Sequence, residues 1–399
     1  MKIRNTSILL MILVFAFLLM PFTASAVVDW TKDDANNPVL ERGSSPAWDD
    51  EEIERPCVIK DGSTFKMWYT GFDGTTRAVG YADSSNETGW SKYGSNPVFQ
   101  PGASGKWDDE HVGLSWVILD GSTYKMWYTG TDDPNGEANA QIGYATSSDG
   151  TTWSRPDPNN PVLPKGGAND WDGEMVLSPT VIKDGSTYKM WYVGWNDSQG
   201  AEGIGYAWSD DGVSWTKYNN PDTTSNPYAN SDPVITPGQE GAWHRDELFT
   251  PCVIKEDSIY RMWFGGEDTK WYERIGYAYS IDGIHWRQYD GNPIIMEGGS
   301  GDFDENDAAD PMVLKDGNTY KMWYQGEKGV DITSFGYATS QAYQGSHLEI
   351  NQMSVMTSNN PTEMEIFLAV IPEGPSPLDI NELKVEGPSD FSYLNLARV

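Results

Sequence analysis

Cysteine is nearly absent. Cys57 and Cys252 are the two in 399 residues, and each directly follows a proline at the same position of a repeat, in the first and fourth copies. Equivalent positions in non-adjacent repeats rarely lie within the ~7 Å Cα separation that a bridge requires, so two buried, separate thiols are expected. Positive charge is scarce as well: 27 Lys and Arg stand against 59 Asp and Glu, a formal net charge of −32. That field repels nucleic acid and anionic lipid, which excludes both as partners. The acidic loops leave a structural calcium ion open, but no "DxDxDG" loop occurs, so no metal site is assigned and no cofactor is required.

Long apolar runs are missing beyond the first 26 residues. Lys2 and Arg4 precede an apolar run from Ile8 to Phe22, and Ala24-Ser25-Ala26 offers small residues for cleavage. This is the layout of a secretory signal peptide over 1–26, the run being short for a membrane span. A retained N-terminal anchor is the alternative. The mature chain is expected to be extracellular, secreted or at the cell surface, with no membrane segment.

What is abundant is repetition. "VIKDGSTYKMWY" at Val181 is matched by "VIKDGSTFKMWY" at Val58, "VILDGSTYKMWY" at Val117, "VIKEDSIYRMWF" at Val253 and "VLKDGNTYKMWY" at Val313. Each copy sits in a unit of two such strands, a variable loop, an "IGYAWS"-like strand, a second "DG" turn and a short fourth strand. Asp-Gly between apolar runs is a hairpin signal, with positive φ expected at both turn residues. Four antiparallel strands per repeat, apolar on both faces, describe a propeller blade covered by neighbours on either side. The fifth unit stops at "FGYATSQ" and lacks its last strand, while "VDWTKDDANNPVL" (Val28 to Leu40) matches "TTWSRPDPNNPVL" (Thr151 to Leu163). The fold class expected is all-β: a five-bladed propeller over 27–344, closed by the N-terminal strand pairing near Gly336 to Thr339. A short β-rich segment over 345–399 carries no repeat.

The repeats act as internal controls. The tight turns share one face and the variable loops the other, and the second is the expected active face. The connections into the inner strands read "WDDEEIERP", "WDDEHVGLS", "WDGEMVLSP", "WHRDELFTP" and "FDENDAADP". An acid recurring in every blade is first a structural one that caps turns or bonds amides between blades. The exceptions carry more information. Just before the inner strand stand Arg55, Leu114, Ser178, Thr250 and Asp310, and one residue earlier Glu54 is the only acid in its column. His111, His244 and Arg245 also break their columns, though a lone surface His or Arg is ordinarily solvated. Of the 18 tryptophans, Trp116, Trp195, Trp208 and Trp271 fall outside repeat positions. Trp195 and Trp271 lie in the variable loops, where a structural role competes with sugar stacking.

The repeated "WD…PxVIKDGxxYKMWYxG…IGYAxSxDGxxW" resembles the five-bladed propeller glycoside hydrolases, including families 43, 32, 62 and 130, over residues 27–341. The "SxDGxxW" turns also resemble sialidase Asp-boxes, but the blade count and a missing arginine triad argue against that family. In family 43 an Asp before Pro at an inner strand is the base, and acids of the following blades supply a pKa-tuning Asp and a donor Glu. Here the "DP" at an inner strand is Asp310-Pro311 in the fifth blade, and the first has Glu54-Arg55-Pro56 instead. The resemblance implies Asp310 as base or nucleophile and Glu174 as donor, with Glu54 a reserve acid. Arg55 and His111 would orient hydroxyls, and Trp116, Trp195, His244, Arg245 and Trp271 would complete a carbohydrate site. The expectation is an exported glycoside hydrolase using two carboxyls. The alternative is a non-catalytic surface propeller that binds glycan or protein.

Overall fold

The computed structural model describes residues 29–341, apart from 137, 158, 160, 240, 241, 330 and 331, and the backbone of a hairpin formed by His347–Thr357 and Met364–Glu373. Segment 1–26, read as a leader, and 374–399 lie outside the described residues. Five antiparallel sheets follow in chain order. Blade 1 holds Glu52–Asp61, Thr64–Phe72, Arg77–Ser84 and Ser91–Lys92, and blade 2 holds His111–Asp120, Thr123–Thr131 and Gln141–Ser147. Blade 3 comprises Met175–Asp184, Thr187–Asn196, Ala201–Ser209 and Thr216–Lys217, with Pro233–Ile235 also on its third strand. Blade 4 comprises Glu247–Glu256, Ile259–Glu267, Glu273–Ser280 and Arg287–Gln288, and blade 5 Asp307–Asp316, Thr319–Glu327 and Thr333–Gln341. Each inner strand packs against those of both neighbouring blades, the fifth against the first, so the chain forms a five-bladed ring.

The N-terminal segment closes it. Thr31 pairs with Thr339, Lys32 with Ala338 and Leu40 with Phe335, which supplies blade 5 with its missing outer strand. Trp30 then stands edge-on to Trp263 of blade 4, 6.2 Å between ring centroids, just as Trp153 meets Trp68.

The "DG" hairpins differ from expectation in one respect. Asp61 pairs with Thr64, so the central residues are Gly62 and Ser63, and only Gly62 has positive φ (+63°). This is the type II′ pattern, in which only the first central residue needs the left-handed region, and glycine supplies it without steric cost. Asp61 is then the last strand residue, free to accept hydrogen bonds from Lys66 and from Tyr124 of the next blade.

The recurrent acids after the aromatic residue are structural. Asp172 accepts the Tyr192 hydroxyl at 3.1 Å and pairs with Lys217 at 2.6 Å. The same trio, with its acid buried and its cation partly exposed, recurs as Asp49–Tyr69–Lys92, Asp108–Tyr128–Arg155 and Asp304–Tyr324–Lys32, joining inner connection, second strand and outer strand within each blade. Cys57 and Cys252 are free and buried, each sulfur accepting an N–H of the next inner strand, from Val117 at 3.2 Å and Val313 at 3.1 Å. Burial pushes both thiols up to about 12, which leaves them unreactive.

Candidate functional site

Every inner strand breaks register at one point, between Glu54 and Cys57 in blade 1 and at the matching positions of the other four. The residue at the break is left-handed in all five: Arg55 (φ +55°), Leu114 (+44°), Ser178 (+61°), Thr250 (+51°) and Asp310 (+50°). None is glycine, so each bulge costs on the order of 1 kcal/mol of backbone strain. Neighbouring side chains hold the strained amides: Asp310 Oδ2 accepts the Arg55 N–H at 3.0 Å, Thr70 Oγ1 that of Leu114 at 2.7 Å, and Thr129 Oγ1 that of Ser178 at 3.0 Å.

These bulges border a cavity of about 330 Å³ whose lining draws on all five blades. Leu114, Leu177, Val193 and Phe249 form an apolar wall, with Trp195 beside it. Glu54, Glu247, Glu273 and Asp310 form an acidic one. Among the described residues, no Lys, Arg or His lines it. The lining comes from the starts of inner and third strands and the ends of second strands, which is the variable-loop face.

The pKa values of the carboxyls are pushed in opposite directions. Burial disfavours the Glu54 carboxylate, but the Arg77 guanidinium 3.3 Å away, a hydrogen bond with Glu52 and the nearby Arg55 outweigh it and lower its pKa. Asp310 is 8% exposed, and burial raises its pKa, helped by the charge of Glu54 and opposed by Arg55, whose Nε is 3.7 Å away. Burial, then the charges of Asp310, Asp307, Glu267 and Glu327, pushes Glu273 well above the carboxylate range. Burial also raises Glu247, where Asp197 and Asp246 add to it. Behind this wall, burial and neighbouring acids bring Glu202 up to about 8 and Glu267 to about 7. One carboxyl with a lowered pKa therefore faces several with raised ones, the separation that acid–base chemistry uses.

No protein-family model matches the chain. An uncharacterized protein of Mycobacterium tuberculosis (strain CDC 1551 / Oshkosh) is 28% identical over 326 residues, 79% of this chain and 96% of that one. A beta-1,2-mannobiose phosphorylase of Thermoanaerobacter sp. (strain X514) is 27% identical over 118 residues, 26% of this chain and 37% of that one. Among solved structures, one from the GH130 family of mannoside phosphorylases, described as containing glycoside hydrolases that target beta-1,2 mannosidic linkages in Candida mannan, superposes with a TM-score of 0.62 at 16% identity. It covers 80% of this chain and 95% of its own. The fold is that of the five-bladed propeller glycoside hydrolases.

Within this propeller, the residues singled out by sequence separate into three groups. Glu54, Asp310 and Trp195 line the cavity together, and Arg55 borders it through its contacts with Asp310. Trp271 is 74% exposed on the loop before Glu273, in a left-handed conformation (φ +65°) unusual for an aromatic residue. The rest lie elsewhere. Glu174 is outside the lining: it accepts the amide of Asp197 at 2.9 Å and the hydroxyl of Ser198 at 2.7 Å, and these bonds lower its pKa. A carboxyl so held is a turn cap rather than a proton donor. His111 is buried, its Nδ1 accepting the Arg77 amide at 3.2 Å, and burial with Arg77 lowers its pKa. Trp116 is core. His244 is 6% exposed, clustered with Trp243 and Phe264, and burial drops its pKa to about 4. Arg245 is exposed and outside the cavity lining.

Glu273 and Glu247 escaped the sequence reading. Counting back two residues from the apolar residue before the glycine of each third strand (Val79, Ile142, Ile204, Ile275 and Phe335) gives Arg77, Ala140, Glu202, Glu273 and Thr333. Acids stand in that column only in blades 3 and 4, a signal hidden by variable loop lengths.

Proposed function

We propose that this propeller is an extracellular glycoside hydrolase that cleaves an oligo- or polysaccharide in the axial cavity, needing no cofactor. One observation supports this above the others: Glu54, whose pKa Arg77 helps to lower, shares a cavity with Asp310 and Glu273, whose pKa values burial raises. Hydrolysis of a glycosidic bond needs one carboxylate to activate water or attack the anomeric carbon and one carboxylic acid to protonate the leaving oxygen. Glu54 takes the first role. Asp310, anchored by the Arg55 amide and guanidinium, positions the charge between them. The apolar wall and Trp195 suit the C–H faces of a sugar ring.

Water, rather than inorganic phosphate, is the acceptor in this reading. Two relatives bear phosphorylase names, yet a phosphate dianion would meet four carboxyls and, among the described residues, no lining cation. The test is a screen of pooled polysaccharides and aryl glycosides with reducing sugar as readout, run with and without phosphate. Turnover independent of phosphate, lost by two or more orders of magnitude in Glu54→Gln and Asp310→Asn, is expected. Phosphate-dependent release of a sugar 1-phosphate would refute the hydrolase. Glycan binding without turnover would favour the non-catalytic propeller, which the tight Asp310–Arg55 contact also suits.

A further inference from the structure

We propose that Glu273 is the residue that protonates the departing glycosidic oxygen, working across the cavity from Glu54; this rests on the hydrolase reading above. Glu273 opens the third strand of blade 4 on the cavity-bearing face, and its backbone is fixed there by an N–H bond to Asp307 Oδ1 at 2.7 Å. Its side chain lines the same cavity as Glu54 and Asp310. The charges that act on it most strongly are those of Asp310, Asp307, Glu267 and Glu327, all acidic. Its sequence neighbour Arg274 is turned to Asp268 at 2.9 Å and Glu297 at 2.7 Å.

Three of the four lining carboxyls therefore have distinct environments. Glu54 has a guanidinium at 3.3 Å and Asp310 has one at 3.7 Å plus a backbone N–H. Both have partners that stabilise a negative charge, whereas the buried Glu273 is surrounded by other acids, which disfavour its charged form. In the reaction the Glu273 O–H bond breaks as the proton moves to the glycosidic oxygen, which leaves with the electron pair of the C–O bond. Glu54 accepts a proton from the water whose oxygen bonds to the anomeric carbon. One proton is given and one is taken, so the site returns to its starting charge after exchange with solvent.

Two measurements test this. In a carboxyl-detected NMR titration of the full chain, the resonance lost in Glu273→Gln should titrate well above an ordinary glutamate. This needs no substrate. In kinetics on the substrate found by the screen, Glu273→Gln should lose roughly 10²–10⁴-fold on glycosides with poor leaving groups. It should keep most activity on dinitrophenyl glycosides, whose leaving group needs no proton, and lose the alkaline limb of its pH profile. Glu54→Gln should lose activity on both. An ordinary titration of Glu273, or equal loss on both substrate types, overturns the assignment. If Glu54→Gln is inactive while Glu273→Gln is fully active on poor leaving groups, this proposal fails and the hydrolase stands. If the wild type turns over no glycan, both fail.

Discussion

Blade 3 and blade 4 are built from the same hairpins, but their interiors are held by opposite means. Blade 3 holds an ionic trio, the buried Asp172 and Tyr192 with the partly exposed Lys217. At the same three positions blade 4 has His244, Phe264 and Gln288, in register with the trio members of its neighbours. Acid, hydroxyl and cation have all gone together. The reason is energetic: removing one partner strands the others in a low-dielectric interior, while exchanging the whole set for neutral groups is close to neutral. Blade 4 also carries Glu247, Glu267 and Glu273 at its cavity end. A further buried aspartate there would add to a crowd of carboxyls already disfavoured as anions.

The comparison can be broken most severely in blade 3. Asp172→Ala should cost roughly 3 kcal/mol in denaturant unfolding, because Lys217 and the Tyr192 hydroxyl lose their shared partner. The Asp172→His, Tyr192→Phe, Lys217→Gln triple should cost clearly less than the sum of its parts. Next in size is the reverse exchange. His244→Asp alone should destabilise by about 2 kcal/mol, since it buries an acid without a cation, and adding Phe264→Tyr and Gln288→Lys should recover most of that.

A smaller effect sharpens the contrast through pH. His244 has a folded pKa near 4 against an ordinary 6.5, so its contribution is present above pH 6.5 and is lost as pH falls toward 4. Glu202, at about 8, behaves oppositely: the folded state holds its proton more tightly, and stability grows as pH falls from 8 toward 4.5. The stability gap between wild type and His244→Phe should therefore shift against wild type below pH 6.5. In Glu202→Gln, the gain on acidification from pH 8 should shrink. A pH-independent gap would refute the buried neutral histidine. The smallest stability change belongs to Trp271→Ala, within about 0.5 kcal/mol because the indole is exposed. Its signature would be weaker binding of long glycans with unchanged turnover of a small aryl glycoside.

The ring and its closure were legible because they follow from backbone period and an omission: a missing strand at Gln341 and a spare one at Trp30. The column from Arg55 to Asp310 was legible as a set of exceptions. Its left-handed geometry was not, since no glycine marks it and a proline follows in four of five copies, where extended backbone is the usual preference. Exceptions also misled. His244 departs from its column because a scaffold trio was exchanged as a unit, and His111 because it accepts an amide between blades. Departure from a pattern reports that something changed, not which way the side chain faces. Glu273 was hidden for the opposite reason, as its column emerges only when the blades are aligned from their third strands.

The five bulges have an evolutionary consequence. At each, the conformational demand falls on the main chain, and Arg, Leu, Ser, Thr and Asp all occupy it. The position works as a socket around the axis: its shape is inherited with the duplicated blade, and its occupant is open to replacement. A lineage can thus rewrite which chemical groups meet at the centre, blade by blade, while the tryptophans, hairpins and ionic trios that hold the ring together stay unchanged.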